Sequence, residues 1–333
     1  MKTIKTCAFA VLVACFLSSA IAAKPVQNYV FFDLDRERIK EATFLETKAF
    51  AGAQLKYTWK ELEPQKDRYD FTAIRKDLAF LTAQGKKLFI QLQEVSFSKE
   101  SILVPKYLQT DEYHGGVAPQ YDIDKDDEAT ARIAGWVARR WDPLVRDRFQ
   151  KLLNALGKEF DGRIEGINLP ETSIGFGESG KLFPPGYSNE LYRDTVIANM
   201  KALKKAFPKS VVIQYANFMP GEWLPDTDRA FLKTVYKEAM TAGVGVGGPD
   251  LLPFRRGQNN HSYPLITAAS GIVPTGIAVQ DGNYSDKNKD GKRLSVPELL
   301  KFATEQLKVD YVFWCTEEPY YSKEVIPYLR EKR

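Results

Sequence analysis

Apolar strand-like runs alternate with amphipathic helical runs along almost the whole of this chain. That alternation restricts it to folds in which a parallel sheet is joined by crossover helices. Eight such units can be read in order. A strand over Tyr29–Phe32 precedes a helix from about Arg36 to Phe50, and a second over Gln54–Trp59 precedes a helix from Phe71 to Gln84, closed by Gly85. The third strand is expected at Lys87–Gln93, but its helix begins only near Pro143 and ends near Phe160. Asp142-Pro143 marks that start: a side-chain oxygen can cap the first turn, and proline costs nothing where its N–H would be unpaired. The fourth strand, Arg163–Leu169, is followed by a helix from about Asn189 to Phe207; the fifth, Val211–Tyr215, by one from about Thr227 to Ala242. Val244–Gly247 with a short helix near Tyr263–Ser270, Thr275–Val279 with Val296–Leu307, and Asp310–Trp314 with a last helix from about Lys323 complete the set. Eight units suit closure better than an open sheet, and no glycine-rich dinucleotide turn follows the first strand. The expectation is a single α/β domain, a (β/α)8 TIM barrel over residues 23–333 with a long insertion after its third strand.

The first 22 residues stand apart. Lys2 and Lys5, the apolar run Cys7–Leu17 and the small residues Ala20-Ile21-Ala22 have the layout of a bacterial signal peptide, which implies a secreted or periplasmic protein. Leu12-Val13-Ala14-Cys15 also fits a lipoprotein cleavage pattern, which would anchor the chain through Cys15. The run is short for a membrane span. Beyond the signal only Cys315 remains, so no internal disulfide can form. The net charge of +4 includes both signal lysines, and no basic run interleaved with aromatics appears, so nucleic acid is not the expected partner. The sequence carries no signature of an oligomeric state.

In such a barrel the chemistry sits at the C-terminal ends of the strands. Those ends carry Gln91, Gln93 and Glu94; Asn168 and Glu171; Tyr215 and Asn217; Asp250; Gln280 and Asp281; and Trp314, Glu317 and Glu318. The set is rich in carboxylates and amides. His114 and His261 are the only histidines, which leaves little basis for a histidine triad or a zinc site, and neither metal nor cofactor is expected. Cys315, at a strand end, reads as packing. Two carboxyl groups flanking a glycosidic bond can hydrolyse it, one protonating the leaving oxygen and the other attacking the sugar or activating water. The insertion, Phe97–Trp141, leaves the third strand at this same rim with Tyr107, Tyr113, Tyr121, Trp136 and Trp141, and reads as a substrate wall or a flap with packing aromatics. Asp286-Lys287-Asn288-Lys289-Asp290-Gly291 has the opening of a calcium loop, but its twelfth position is Pro297. A polar turn leading into a Ser295/Glu298 capping box is the simpler reading.

Two stretches carry a family resemblance. Gly52–Pro64, with Trp59, Leu62, Glu63 and Pro64, followed by Tyr69-Asp70-Phe71, resembles the second βα unit of glycoside hydrolase clan A barrels, of the cellulase-like and β-galactosidase-like kinds. Trp141-Asp142-Pro143, Asp161-Gly162 and Glu165–Thr172 resemble the run into their fourth strand. The resemblance implies an acid/base glutamate after strand four, which falls on Glu171. Two departures accompany it. Asn168 lies three residues before Glu171 rather than directly before it. The seventh strand ends in Gln280-Asp281, so Asp281 or Glu317 is left as the second carboxylate. Glu63 is expected to order the loop after strand two. Trp59, Gln93, Asn168, Tyr215, Asn217, Trp314 and Tyr320 are the substrate-binding candidates, with Tyr321 as a further stacking aromatic. The expected function is a secreted glycosidase acting on a poly- or oligosaccharide. The alternatives are a barrel that binds carbohydrate without cleaving it, or a lipid-anchored envelope protein.

Overall fold

A computed structural model of the chain describes residues 25–124 and 127–331. The expected signal segment, including Cys15, lies outside the described residues. Among those that are described, no helix is long and apolar enough to cross a membrane.

The strands are β1 (Gln27–Asp33), β2 (Phe50–Thr58), β3 (Lys87–Gln93), β4 (Val95–Ser96), β5 (Val117–Asp122), β6 (Arg132–Ala138), β7 (Gly166–Leu169), β8 (Val211–Tyr215), β9 (Gly245–Gly248), β10 (Thr275–Val279) and β11 (Tyr311–Cys315). β1, β2, β3, β7, β8, β9, β10 and β11 pair in parallel in that order, and β11 returns to β1, closing a (β/α)8 barrel. Both faces of these strands are covered, so they read as apolar runs rather than strict alternations. The register sets Gln91 beside Asn168 and Phe31 beside Cys315.

Bulk and its absence are paired inside the barrel. The rings of Tyr29, Phe89, Tyr311 and Phe313, from three strands, meet with centroids 5.0–6.2 Å apart. Glycines on the facing strands give them room: a Cβ on Gly166 would lie 2.6 Å from the Phe89 ring, and one on Gly276 would lie 3.1 Å from Phe313. The interior is therefore a packed core and not a pore.

Most helices fall where their apolar spacing puts them, including Pro143–Phe160, whose first N–H groups are capped by Asp142 Oδ1 (2.9 Å to Leu144 N). Two expectations shift. The first helix is reduced to a 3₁₀ turn, Arg36–Lys40, and a short helix, Ala42–Glu46, because Phe50 already belongs to β2. The buried Lys86 ammonium holds the turn from that short helix into β2, donating to the carbonyls of Thr47 and Phe50. β7 begins three residues later than expected, because Arg163 N bonds Phe160 O in the turn that ends the preceding helix at Gly162 (φ +76°).

The insertion after β3 is itself folded. β4, β6 and β5 form a small antiparallel sheet with β6 in the middle, and Pro119 lies on the edge strand β5, where a missing N–H costs no ladder bond. β5 is tied to the loop after β7 by Tyr121 N to Gly175 O at 2.7 Å. Glu128 accepts from the N–H groups of Glu178 and Ser179, also at 2.7 Å, which fixes the far side of the same loop.

The Trp59–Glu63 motif acts structurally. Glu63 is fully buried. It accepts from the Trp59 indole N–H at 2.9 Å and from the Asp67 N–H at 3.0 Å, and it pairs with the Arg148 guanidinium. Arg148 also reaches Asp67 and the Tyr107 hydroxyl. One buried carboxylate thus ties the loop after β2 to the helix after the insertion.

Candidate active site

The chain leaves β7 at Leu169, turns at Pro170 and presents Glu171 at the C-terminal end of the barrel. Three elements fix that turn. From the insertion, Arg140 forms a buried two-pronged pair with Glu94 at the end of β3, its Nη2 lying 2.9 Å from Oε2. The same guanidinium donates to the Tyr192 hydroxyl (2.7 Å) and reaches the Glu171 carbonyl (3.4 Å). Tyr192 in turn donates to the Thr172 carbonyl at 3.0 Å. From the loop after β8, Asn217 accepts from Ser173 N at 3.3 Å, and Phe218 O accepts from the Thr172 hydroxyl at 2.6 Å. The Glu171 backbone is thereby locked before any ligand arrives, as a preorganised site requires.

The side chain is held just as firmly. Asn217 Nδ2 donates to Glu171 Oε2 at 2.5 Å. Glu171 is half-buried as a residue, but its carboxyl group sits deep among protein atoms. That desolvation is the largest cause pushing its pKa up from the ordinary glutamate value to about 7. The Asn217 hydrogen bond opposes the rise, the negative charge of Asp250 adds to it, and Arg140 opposes it. Asp250, which follows β9, is also raised by burial and held back by a hydrogen bond from Asn283 Nδ2 (3.1 Å to Oδ1). Asn283 is itself pinned, its Oδ1 accepting from Leu251 N and Gln280 N. A site with one carboxyl protonated near neutrality and a second whose charge acts on it can donate a proton and receive it back.

The other sequence candidates fall into three places. Asn168 and Tyr215 lie buried inside the barrel below Glu171, where Gln54 Nε2 donates to both (2.9 Å to Asn168 Oδ1, 3.1 Å to the tyrosine hydroxyl). Gln93 is buried at the end of β3, its Nε2 on Val95 O. Trp59 and Trp314 are fully buried: Trp59 against Phe149, and Trp314 against Tyr284 with its indole N–H on Asn28 Oδ1. Their faces are therefore taken up by the protein. Tyr320 is half-buried, stacked on Tyr284 with Arg293 over its ring, while Tyr321 is buried.

Asp281 and Glu317 come together with Cys315, their oxygens and its sulfur all within 4.8 Å of one another. Asp281 is exposed, and Glu317 Oε2 accepts from Gly282 N at 2.8 Å. Burial pushes the Cys315 thiol up, so this group offers a neutral sulfur between two acids. The carboxylate whose charge reaches Glu171 is Asp250. Arg140 and Tyr192 also build the site, and their positions, in the insertion and in the first turn of helix Asn189–Ala206, gave no chemical signal. In the Asp286–Gly291 turn, Asn288 Oδ1 accepts from Asp290 N and Lys292 N, so its oxygen serves the backbone as in a polar turn.

No protein-family model matches the chain, and no curated protein matches it in sequence. Solved structures do share its fold. A β-galactosidase from Bacillus circulans sp. alkalophilus superposes with a TM-score of 0.55 at 12% identity, over 87% of this chain and 50% of that one. A GH5_18 protein from Streptomyces cattleya, solved in complex with Manβ1-4GlcNAc, gives 0.53 at 13% over 87% and 70%. Endo-glycoceramidase II from Rhodococcus sp., solved as its lactosyl-enzyme intermediate, gives 0.50 at 11% over 92% and 78%. This chain thus spans half the β-galactosidase. At these identities the likeness is one of fold, to glycoside hydrolase barrels of the kind the two sequence motifs resemble.

Proposed function

We propose that this chain is an exported glycoside hydrolase in which Glu171 is the general acid/base. The observation that carries the reading is a carboxyl group held at the C-terminal mouth of the barrel by Asn217, with its backbone fixed by Arg140, where burial pushes its pKa up to about 7. A group tuned to that value is protonated often enough to give its proton to a glycosidic oxygen, and basic enough to take one from water afterwards. Asp250 supplies a second carboxylate coupled to it, and Asp281 and Glu317 are the other candidates for that role. His261 does not compete for it, since it is engaged on both ring nitrogens with Leu224 N and Gly257 O.

Glu171→Gln keeps the size and the Asn217 contact but cannot supply the proton. It is expected to abolish turnover of natural glycans while leaving the fold intact. The check is a glycan panel assayed with wild type beside Glu171→Gln, Asp250→Asn, Asp281→Asn and Glu317→Gln. The carboxylate partner is the variant that falls with Glu171. Full activity of Glu171→Gln on the natural glycan rejects the assignment.

A second reading, a barrel that binds carbohydrate without cleaving it, draws on one observation. The acid ending the seventh barrel strand, Asp281, is exposed and grouped with Glu317 and Cys315. Under that reading every carboxylate variant binds glycan like wild type, and none shows turnover.

A further inference from the structure

The loop after β8 carries an exposed aromatic ring that the chain goes to some length to immobilise. Trp223 is 50% exposed, the most open of the aromatic rings around this part of the rim. Its indole lies parallel to the Phe218 ring in an offset stack, with centroids 5.7 Å apart and planes 9° from parallel. His261 packs against both rings at 4.8–4.9 Å. Gly257 lies at their edges, and a Cβ there would come within 3.2 Å of the Phe218 ring and 3.5 Å of the indole.

The backbone around Trp223 is pinned at every step. Trp223 N bonds Thr227 O and Thr227 N bonds Trp223 O, at 3.0 and 2.7 Å. Leu224 N donates to His261 Nε2 (2.8 Å), while Asn260 Nδ2 donates to Leu224 O. The preceding residue, Glu222, is buried and accepts from Phe231 N and Leu232 N, at the start of helix Phe231–Ala242. A large ring held rigid and still half exposed has lost its conformational entropy in advance, so binding on its exposed surface costs little further ordering.

This loop is continuous with the candidate active site. Asn217, which holds the Glu171 carboxyl, immediately precedes Phe218, and Phe218 O takes the hydroxyl of Thr172, the residue after Glu171. Resting on the glycosidase reading above, we propose that Trp223 is the stacking platform for a pyranose ring of the substrate on the leaving-group side of Glu171. The general acid protonates the oxygen of the departing sugar, so that sugar lies beside the loops that carry and hold the acid. An apolar ring in a loop that also carries Asp226, paired with Arg256 (3.4 Å), suits a pyranose, which has an apolar C–H face and a polar hydroxyl edge. Trp223 thereby sets a preference for substrates extended beyond the cleaved bond over those with a small leaving group.

The test uses the full chain in the Glu171→Gln background, so that binding is read without turnover. Soluble xylan, galactomannan, mixed-linkage β-glucan and galactan are screened by affinity electrophoresis. At least one is expected to retard the protein, with Trp223→Ala weakening that binding by about tenfold, a loss of the size of one aromatic contact. Trp223→Tyr, which keeps a ring, is expected to fall between. Ile272→Ala, an exposed apolar truncation before β10 at the opposite end of the barrel, is the control and leaves binding unchanged. With Glu171 intact, Trp223→Ala raises KM for oligosaccharides. Undiminished binding by Trp223→Ala overturns the proposal, as does a parent protein that binds none of the four polymers. So does a Trp223→Ala variant that changes only the oligomeric state, which would make this face a contact between copies. A wild type that binds through Trp223 but turns nothing over leaves the platform standing and removes the acid/base role of Glu171.

Discussion

At the scale of single residues, the environment of Glu171 has a sign that can be tested. Burial and the charge of Asp250 raise its pKa, while Asn217 and Arg140 lower it, with a balance near 7. In the unfolded chain the same group titrates at about 4.3. Between those values the native state holds a proton that the unfolded state has released, so the carboxyl lowers stability as pH rises through that window. For catalysis the consequence is an alkaline limb near pH 7, above which the acid is lost. Asp250→Asn removes a raising influence and is expected to move that limb to lower pH; Asn217→Ala removes a lowering one and moves it higher. Carboxyl ¹³C titration of Glu171 in the two variants measures the shifts without relying on turnover. Shifts of the same sign in both would refute the electrostatic account. The sequence pointed to Glu171 through its place after the fourth barrel strand. It could not tell which of Asp250, Asp281 and Glu317 has a charge that reaches Glu171, because each follows a strand and only the loops decide which one faces which. The aromatic candidates show the same limit. Tyr311 and Phe313 point into the barrel, so strand alternation turns Trp314 outward into the helix layer, where it is buried on Tyr284. Trp223, in a turn-rich stretch between Gly221 and Pro225, belongs to no strand end and carries no periodic signal.

At the scale of elements, the loops above the barrel are held by buried polar groups, and their hold depends on protonation. His261 accepts from Leu224 N through Nε2 and donates to Gly257 O through Nδ1, an arrangement that only the neutral ring can make. Burial lowers its pKa, partly offset by the Gly257 bond and the charge of Glu222. The unfolded ring titrates at about 6.5. Its contribution is therefore fully present above that pH and is lost as pH falls toward the depressed folded value. Acidification is expected to loosen the loop around Trp223 before the barrel unfolds. The readout is earlier exchange of the Leu224 amide and a change in tryptophan emission that Trp223→Phe eliminates. An amide equally protected at pH 7 and pH 5 would show that the imidazole does not control the loop. The same scale explains what was legible in the insertion. Its length and its departure from β3 could be read, whereas the β4–β6–β5 sheet could not, since Pro119 sits inside β5 and β4 is two residues long.

At the scale of the whole molecule, the barrel was the most legible feature because it rests on repetition. Lys87–Gln93, Val211–Tyr215, Thr275–Val279 and Pro143–Phe160 lie where periodicity and capping put them. What repetition cannot express is how the centre is filled, since that depends on residues from strands distant in sequence. Gly166 and Phe89 make the point. They are register partners on β7 and β3, and the ring occupies the volume that a side chain at 166 would need. A Cβ there would lie 2.6 Å from the ring and 2.7 Å from Val211 O, so Gly166→Ala must displace an aromatic packed against Tyr29, Tyr311 and Phe313. Overpacking of this kind costs about 1–3 kcal/mol. Phe89→Leu destabilises on its own by leaving space at the centre. Together the two changes compensate on the ring side but not against Val211 O, which is backbone and cannot turn away. The double variant is expected to remain less stable than wild type, yet better than the sum of the single losses by about 0.5–1 kcal/mol, a coupling typical of residues in contact. Chemical denaturation of the four proteins measures it. Strict additivity would mean that the barrel relaxes around each change separately, and that its centre is less tightly packed than the converging rings require.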